Sequence, residues 1–61
     1  MKAALNNLLT RARLALINGE YEKAAEMFYT ASIMTKAIDA GETENTEHGK
    51  YLIEYSRGMH R

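Results

Sequence analysis

The side chains that could do chemistry in this chain are few and scattered. Glu44 and His48 are four residues apart, so one face of a helix could present both to a metal ion. Two ligands do not complete a protein metal site. The carboxylates of Glu20, Glu22 and Glu26 could act as acid and base, but their spacing is typical of a solvated helix face. We therefore predict neither a metal site nor a catalytic pair of carboxylates.

Candidate nucleophiles are limited to hydroxyl groups, because the sequence contains no cysteine. Neither Ser32 nor Ser56 lies in a Gly-x-Ser-x-Gly turn or beside a histidine, where a serine would be activated. The sequence also contains no glycine-rich loop of the kind that binds phosphate. These features predict a protein that is not an enzyme and that has no cofactor.

The length and charge of the chain limit its stability and its partners. It has 61 residues, eight basic and eight acidic, and no proline. A domain of this size buries only about 60% of the surface that its unfolded chain exposes, so its core is small. Without disulfides, such a chain depends on helix packing or self-association. A net charge of zero favours neither nucleic acid nor a membrane as partner.

The apolar residues are too dispersed for a membrane protein. No apolar run approaches the roughly 20 residues that span a bilayer, so we expect no membrane partner. Residues 1–7 lack the continuous apolar segment of a signal peptide. We therefore expect a cytoplasmic protein.

The composition predicts an all-α fold. Nine alanines, six leucines and four methionines, all good helix formers, dominate the apolar residues, and valine is absent. Asn18 and Gly19 suit the turn of a helical hairpin, and Gly41 suits the end of the second helix. Gly49 would weaken the third helix by about 1 kcal/mol relative to alanine. The helices are predicted over residues 3–18, 20–39 and 45–58. Together they form one bundle-like domain of residues 1–61.

Helical periodicity predicts which side chains face each other in the hairpin. At 100° per residue, apolar residues of both helices fall in stripes about 120° wide. The predicted seam between the two helices consists of Leu8, Ala12, Tyr21, Ala24, Phe28 and Ala31.

Other apolar residues lie off these stripes and predict a second surface. A monomer of three short helices cannot easily cover all of them, and large exposed apolar patches usually mark interfaces. The predicted partner or dimer interface consists of Leu14, Ile17, Met27, Tyr29, Met34 and Ile38. Tyr51 and Tyr55 could join Tyr29 in lining a peptide groove, or could fill the core instead.

Charge is distributed unevenly along the chain. Residues 1–19 contain three basic side chains and no acid, whereas residues 20–47 contain seven acids and two lysines. This segregation would attract the helices of a bundle to each other, or steer antiparallel pairing of two chains. It also allows a basic nucleic-acid-binding face, which would consist of Arg11, Arg13, Arg57 and Arg61.

The turn and second helix resemble one tetratricopeptide (TPR) repeat, over about residues 5–38. The chain departs from that repeat at Arg11, where leucine is usual, and at Lys36, where a closing proline is usual. Because stacked repeats need about three units, the resemblance implies a single hairpin of this type and not an array. The matching pattern of glycine, aromatic and small residues is Gly19, Tyr21, Ala24, Phe28 and Ala31.

A hairpin of this type followed by a third helix resembles the microtubule-interacting-and-transport (MIT) domain, and the segment 54–57 is similar to the ending of its third helix. This chain is shorter than the usual domain, and the segment 54–57 is displaced by one residue from the family's pattern. The resemblance implies a three-helix bundle that binds short helical peptides in a groove.

Together these observations predict a non-enzymatic protein–protein interaction module, or a small adaptor or regulatory protein, that self-associates through apolar helix faces. The alternative is a small dimeric nucleic-acid-binding regulator that uses the four arginines named above.

Overall fold

Three α-helices and no strand make up residues 1–60, the part of the chain that the computed structural model describes. The helices are α1 (Lys2–Ile17), α2 (Tyr21–Asp39) and α3 (Glu47–Gly58). The predicted all-α class is confirmed, and each helix begins and ends within two residues of its predicted bounds. No helix among these residues is both long and apolar enough to cross a membrane.

The ends of α1 and α2 share one hydrogen-bonding pattern. Gly19 and Gly41 have φ angles of 79° and 92°, in the left-handed region that favours glycine. The residue after each glycine donates its N–H to a carbonyl five residues back, from Glu20 to Ala15 at 2.8 Å and from Glu42 to Ala37 at 3.0 Å. Both are Schellman motifs, which satisfy carbonyls that the helix itself leaves free. The first of them turns α2 back along α1.

The core lies between the hairpin and α3. Leu8 and Met34 are its largest fully buried side chains, one from each helix of the hairpin. Leu52 brings α3 into the same cluster. Alanines allow close approach of the helices around these three residues. The buried core cluster consists of Leu8, Ala12, Met27, Ala31, Met34, Ala37 and Leu52.

The N-terminus of α3 is held by a local network around one hydroxyl group. The Thr46 hydroxyl oxygen accepts hydrogen bonds from the backbone N–H groups of Gly49, at 3.1 Å, and of Thr43, at 3.2 Å. The same hydroxyl group donates a hydrogen bond to the Thr43 carbonyl at 3.0 Å. A threonine cap of this kind satisfies one of the N–H groups that the first turn leaves free. Thr46 therefore joins the end of the preceding loop to the start of the helix.

Gly49 is buried where this loop crosses α3. A Cβ atom at this position would lie 1.8 Å from the Thr43 carbonyl oxygen, closer than any van der Waals contact. The expected effect of Gly49 was a weakened helix. The structure gives it a second role that outweighs helix propensity, because only glycine lets the loop backbone approach this closely.

The C-terminus of α3 is held by a side chain from α1. The Arg11 guanidinium donates to the Ser56 carbonyl at 2.8 Å and also to the Met59 carbonyl. Carbonyls in the last turn have no partner within their own helix. A departure from the TPR pattern therefore has a structural role: Arg11 ties α1 to the end of α3.

Candidate functional site

A recess of the described surface runs between α2 and α3. It comprises three adjoining hollows, with volumes of about 290, 320 and 410 Å³, and Tyr55 lines all three. Ile33 and Leu52 form apolar walls at one end, and Met59 contributes at the other. We call this recess the α2–α3 groove.

Three exposed tyrosines line the α2–α3 groove. Tyr29 comes from α2 and is 70% exposed, whereas Tyr51 and Tyr55 come from α3 and are 62% and 52% exposed. The two α3 rings are one turn apart, with centroids 6.2 Å apart and planes tilted by 36°. The core interpretation is therefore wrong for Tyr51 and Tyr55, and their place in a peptide groove stays a prediction.

Charged and titratable groups lie at both ends of the groove. His48 lines it beside Tyr51. At the other end, Glu26 and Glu54 line the hollow next to Met59 and His60. The His60 Nε2 atom lies 2.5 Å from the Glu26 carboxylate, a contact that joins the end of the chain to α2. Both carboxylates at this end therefore already contact a basic side chain, since Arg57 lies 3.4 Å from Glu54.

Two residues of the predicted interface are unavailable to a partner. Met27 is 4% exposed and Met34 is fully buried, because α3 packs on the flank of α2 that carries them. Placing them in an interface was wrong. Leu14 and Ile17 are exposed near the hairpin turn, Tyr29 lies in the groove, and Ile38 is half-buried beside the N-terminus.

The predicted hairpin seam is correct in four positions and wrong in two. Leu8, Ala12, Ala24 and Ala31 are buried. Tyr21 and Phe28 are exposed instead, because the buried stripe of α2 is rotated by about one residue toward Met27 and Met34. On α2 the buried bulk therefore comes from methionine, and the rings of Tyr21 and Phe28 face outward.

The four arginines of the alternative interpretation do not form one free basic face. Arg11 is engaged by the carbonyls of α3, as described above. Arg57 lies 3.4 Å from the Glu54 carboxylate and has a further interaction. Arg13 is exposed on α1, and Arg61 lies outside the described residues. Because its guanidinium group already donates to α3, Arg11 does not belong to a free basic surface.

Glu44 and His48 have separate environments. The Glu44 carboxylate accepts a hydrogen bond of 2.9 Å from the α-amino group of Met1. This hydrogen bond lowers the Glu44 pKa below its ordinary value, and a backbone hydrogen bond and the charge of the amino group act in the same direction. His48 instead lines the groove. Within residues 1–60, no three side chains of the metal-binding types come together.

The two serines donate their hydroxyl groups to backbone carbonyls. Ser32 donates to Tyr29 at 2.7 Å, and Ser56 donates to Ile53 at 2.8 Å. Both bonds lie within a single helical turn, and neither serine contacts a histidine through them. Each hydroxyl group therefore forms its hydrogen bond within its own helix.

Sequence reasoning missed the roles of Arg11 and Gly49 and the contact between Glu26 and His60. The cap of α3 was within reach of the sequence, because Thr43, Asn45 and Thr46 are all residue types that cap helices, and the structure places Thr46 in that role. Comparison with known proteins adds no relative: no family model, no curated protein and no solved structure matches the chain.

Proposed function

We propose that this protein is a non-enzymatic protein-interaction module that binds a segment of another polypeptide in the α2–α3 groove. The observation that carries the proposal is the gathering of three exposed tyrosines, from two helices, along one apolar recess. Tyrosine is enriched among the residues that contribute most to binding energy in protein interfaces. Its ring supplies contact area with few rotatable bonds, and its hydroxyl group can pair with a partner.

The lining of the groove specifies the chemistry of the segment. Ile33, Leu52 and Met59 favour apolar side chains in the partner. Glu26 and Glu54 at one end already contact His60 and Arg57, so polar groups of the partner meet paired charges there. The bound segment therefore has apolar anchors.

Selection from a displayed peptide library, followed by NMR titration, tests this proposal. We expect peptides that prefer the wild type over Tyr29→Ala and that shift the amide signals of Tyr51 and Tyr55. The matched control is Tyr21→Ala, because Tyr21 is 68% exposed on the same helix but lies outside the groove. Binding that Tyr21→Ala weakens as much as Tyr29→Ala, or a selection that enriches no peptide, would contradict the proposal.

A cytoplasmic location, and an adaptor or regulatory role, are further parts of the proposal. They depend on which polypeptide supplies the segment. The nucleic-acid alternative has less support, because Arg11 is bound to α3.

A further inference from the structure

The two residues that follow α3 turn back onto α2. Met59 has a φ of −70° and a ψ of 126°, so the backbone becomes extended where the helix ends. His60 then has a φ of 47°, in the left-handed region. Its ring reaches α2, where the Nε2 atom lies 2.5 Å from the Glu26 carboxylate. This segment therefore spans the end of the α2–α3 groove.

The backbone of His60 is held in a conformation that side chains disfavour. In the left-handed region the Cβ atom lies too close to the following carbonyl oxygen. Within residues 1–60, His60 is the only residue other than glycine with a positive φ. Strain of this kind persists where surrounding contacts hold the chain. Here Arg11 donates to the Met59 carbonyl, the Met59 side chain packs on the core, and Glu26 contacts the His60 ring.

The His60 ring lies between two hollows. One is the hollow of about 410 Å³ at the end of the α2–α3 groove, which Glu26 and Met59 also line. The other, of about 210 Å³, lies beside the hairpin turn, and its apolar lining includes Leu14 and Met27. No other described residue lines both of these hollows. The ring therefore separates the groove from the hollow beside the turn.

The contact that holds the ring is of a kind that opens easily. The His60 side chain is 25% exposed and the Glu26 side chain is 51% exposed. A contact between exposed acidic and basic side chains contributes little stability. The backbone strain at His60 favours release. Because Arg11 holds the Met59 carbonyl, an opening confined to His60 leaves α3 in place.

We propose that His60 is a latch that closes one end of the α2–α3 groove through its contact with Glu26. When the ring leaves Glu26, the groove joins the hollow beside the hairpin turn. A partner segment that extends past His60 then displaces the ring and places an apolar side chain against Leu14 and Met27. A shorter segment binds without opening the latch, so the latch discriminates between partners by length.

This use of the latch rests on the proposed peptide binding, but the latch itself is a property of the free protein. NMR relaxation without peptide tests it. We expect a backbone order parameter at His60 close to the rigid value of about 0.85, which Glu26→Ala should lower to below about 0.6. Glu22→Ala is the matched control, because Glu22 is exposed on the same helix and lines neither hollow.

His60→Gly removes the ring from the other side of the contact. In the free protein this variant should increase the relaxation of the Met27 methyl group by a soluble gadolinium chelate, because the two hollows then join. Met27→Leu would remove the reporter and confirm the assignment of its signal. Circular dichroism of His60→Gly and Glu26→Ala checks that helix content is retained.

Peptides selected for the groove test the discrimination by length. A latch that is closed about nine-tenths of the time lowers the apparent affinity of a segment that needs the open form about tenfold. His60→Gly and Glu26→Ala should therefore both raise the affinity of a peptide that extends past His60 by about tenfold. The same peptide truncated at that end should gain nothing from either variant, and Glu22→Ala should change neither affinity.

Several results would overturn the latch. A mobile His60 in the free wild type, equal mobilisation by Glu22→Ala, or a Met27 methyl group that His60→Gly leaves unchanged would show that the ring does not separate the hollows. Equal affinity gains for the long and truncated peptides, or no gain, would exclude the discrimination by length. A selection that enriches no peptide would contradict the proposed function, and the measurements on the free protein would still decide whether the latch exists.

Discussion

The hairpin and α3 are stabilised by different kinds of interaction. α1 and α2 bury apolar side chains along their shared length, with Leu8 and Met34 fully buried. α3 buries only Gly49, Leu52 and Ser56, of which Leu52 alone is a large apolar residue. Its two ends are held instead by polar contacts, from Thr46 at the start and from Arg11 at the finish.

This difference shows how a small domain can add a third helix with little further core. Apolar burial gives the hairpin its stability without a particular geometry at each contact. The polar contacts of α3 are directional, so they fix where the helix lies and contribute less free energy each. We therefore expect substitutions to separate the two regions, both in size of effect and in which amide groups lose protection.

The largest expected effect comes from shortening the central apolar residues. Leu8→Ala and Leu52→Ala should each cost about 2–5 kcal/mol of unfolding free energy, because each leaves a cavity. Urea unfolding measures the loss, and hydrogen exchange shows where it occurs. Leu8→Ala should lower protection in all three helices, and Leu52→Ala should lower it mainly in α3. Equal patterns would show that the two regions unfold as one unit.

Arg11→Met should lower stability by about 2 kcal/mol, because the carbonyls of Ser56 and Met59 lose a charged donor. The loss should be concentrated in the amide protection of α3. Arg11→Lys should restore little, since an ammonium group does not reproduce the planar fork of a guanidinium. Arg13→Met is the control, because Arg13 is exposed; an equal loss in that variant would indicate a general effect of charge.

The two glycines of α3 offer a matched test of the close approach to Thr43. Gly49→Ala should cost about 1–2 kcal/mol, because the clash with a backbone carbonyl exceeds the gain in helix propensity. Gly58→Ala meets nothing within 4 Å and should be neutral or stabilising by up to about 1 kcal/mol. Thermal unfolding of both variants gives the signs, and a stabilising Gly49→Ala would refute the packing role.

The Thr46 cap should contribute about 1 kcal/mol, which Thr46→Ala removes. Thr46→Ser keeps the hydroxyl group and should keep most of that stability. Amide exchange at Gly49 reports the cap directly, because its N–H is donated to the Thr46 oxygen. Unchanged protection of Gly49 in the alanine variant would contradict this assignment.

The smallest effect concerns the exposed pair of Glu44 and the N-terminal amine. Because the Glu44 pKa is lowered in the folded state, the contribution of this pair is present above the ordinary pKa of a glutamate. It is lost as the pH falls through the lowered value. NMR titration should show Glu44 protonating below the ordinary pKa of a glutamate, and Glu44→Gln should remove this part of the acid sensitivity. A Glu44 carboxyl that titrates at the ordinary value of a glutamate would refute the pairing.

The sequence predicted the helices well and their facing surfaces only in part. Asn18, Gly19 and Gly41 mark the helix ends through local backbone preferences, so the bounds could be read directly. The rotation of α2 could not, because apolar residues lie on both of its flanks: Tyr21 and Phe28 on one, Met27 and Met34 on the other. The position of α3 decides between them, and that position depends on contacts distant in sequence.

The roles of Arg11 and Gly49 were hidden for a related reason. Arg11 binds backbone carbonyls, and Gly49 avoids one. Backbone groups are the same in every residue, so the sequence carries no pattern that marks such a partner. Tyr51 and Tyr55 were ambiguous for another reason, because tyrosine suits both a buried position with its hydroxyl group at the rim and an exposed position in an interface.

The contact at Gly49 also constrains how this sequence can change over generations. A clash with a neighbouring side chain can be relieved by a second mutation that shortens the neighbour. Here the obstacle is the Thr43 carbonyl oxygen, which every amino acid carries. No substitution at the neighbouring position can remove it, so descendants of this chain should keep glycine at position 49 unless the loop itself is rebuilt, while Gly58 is free to drift.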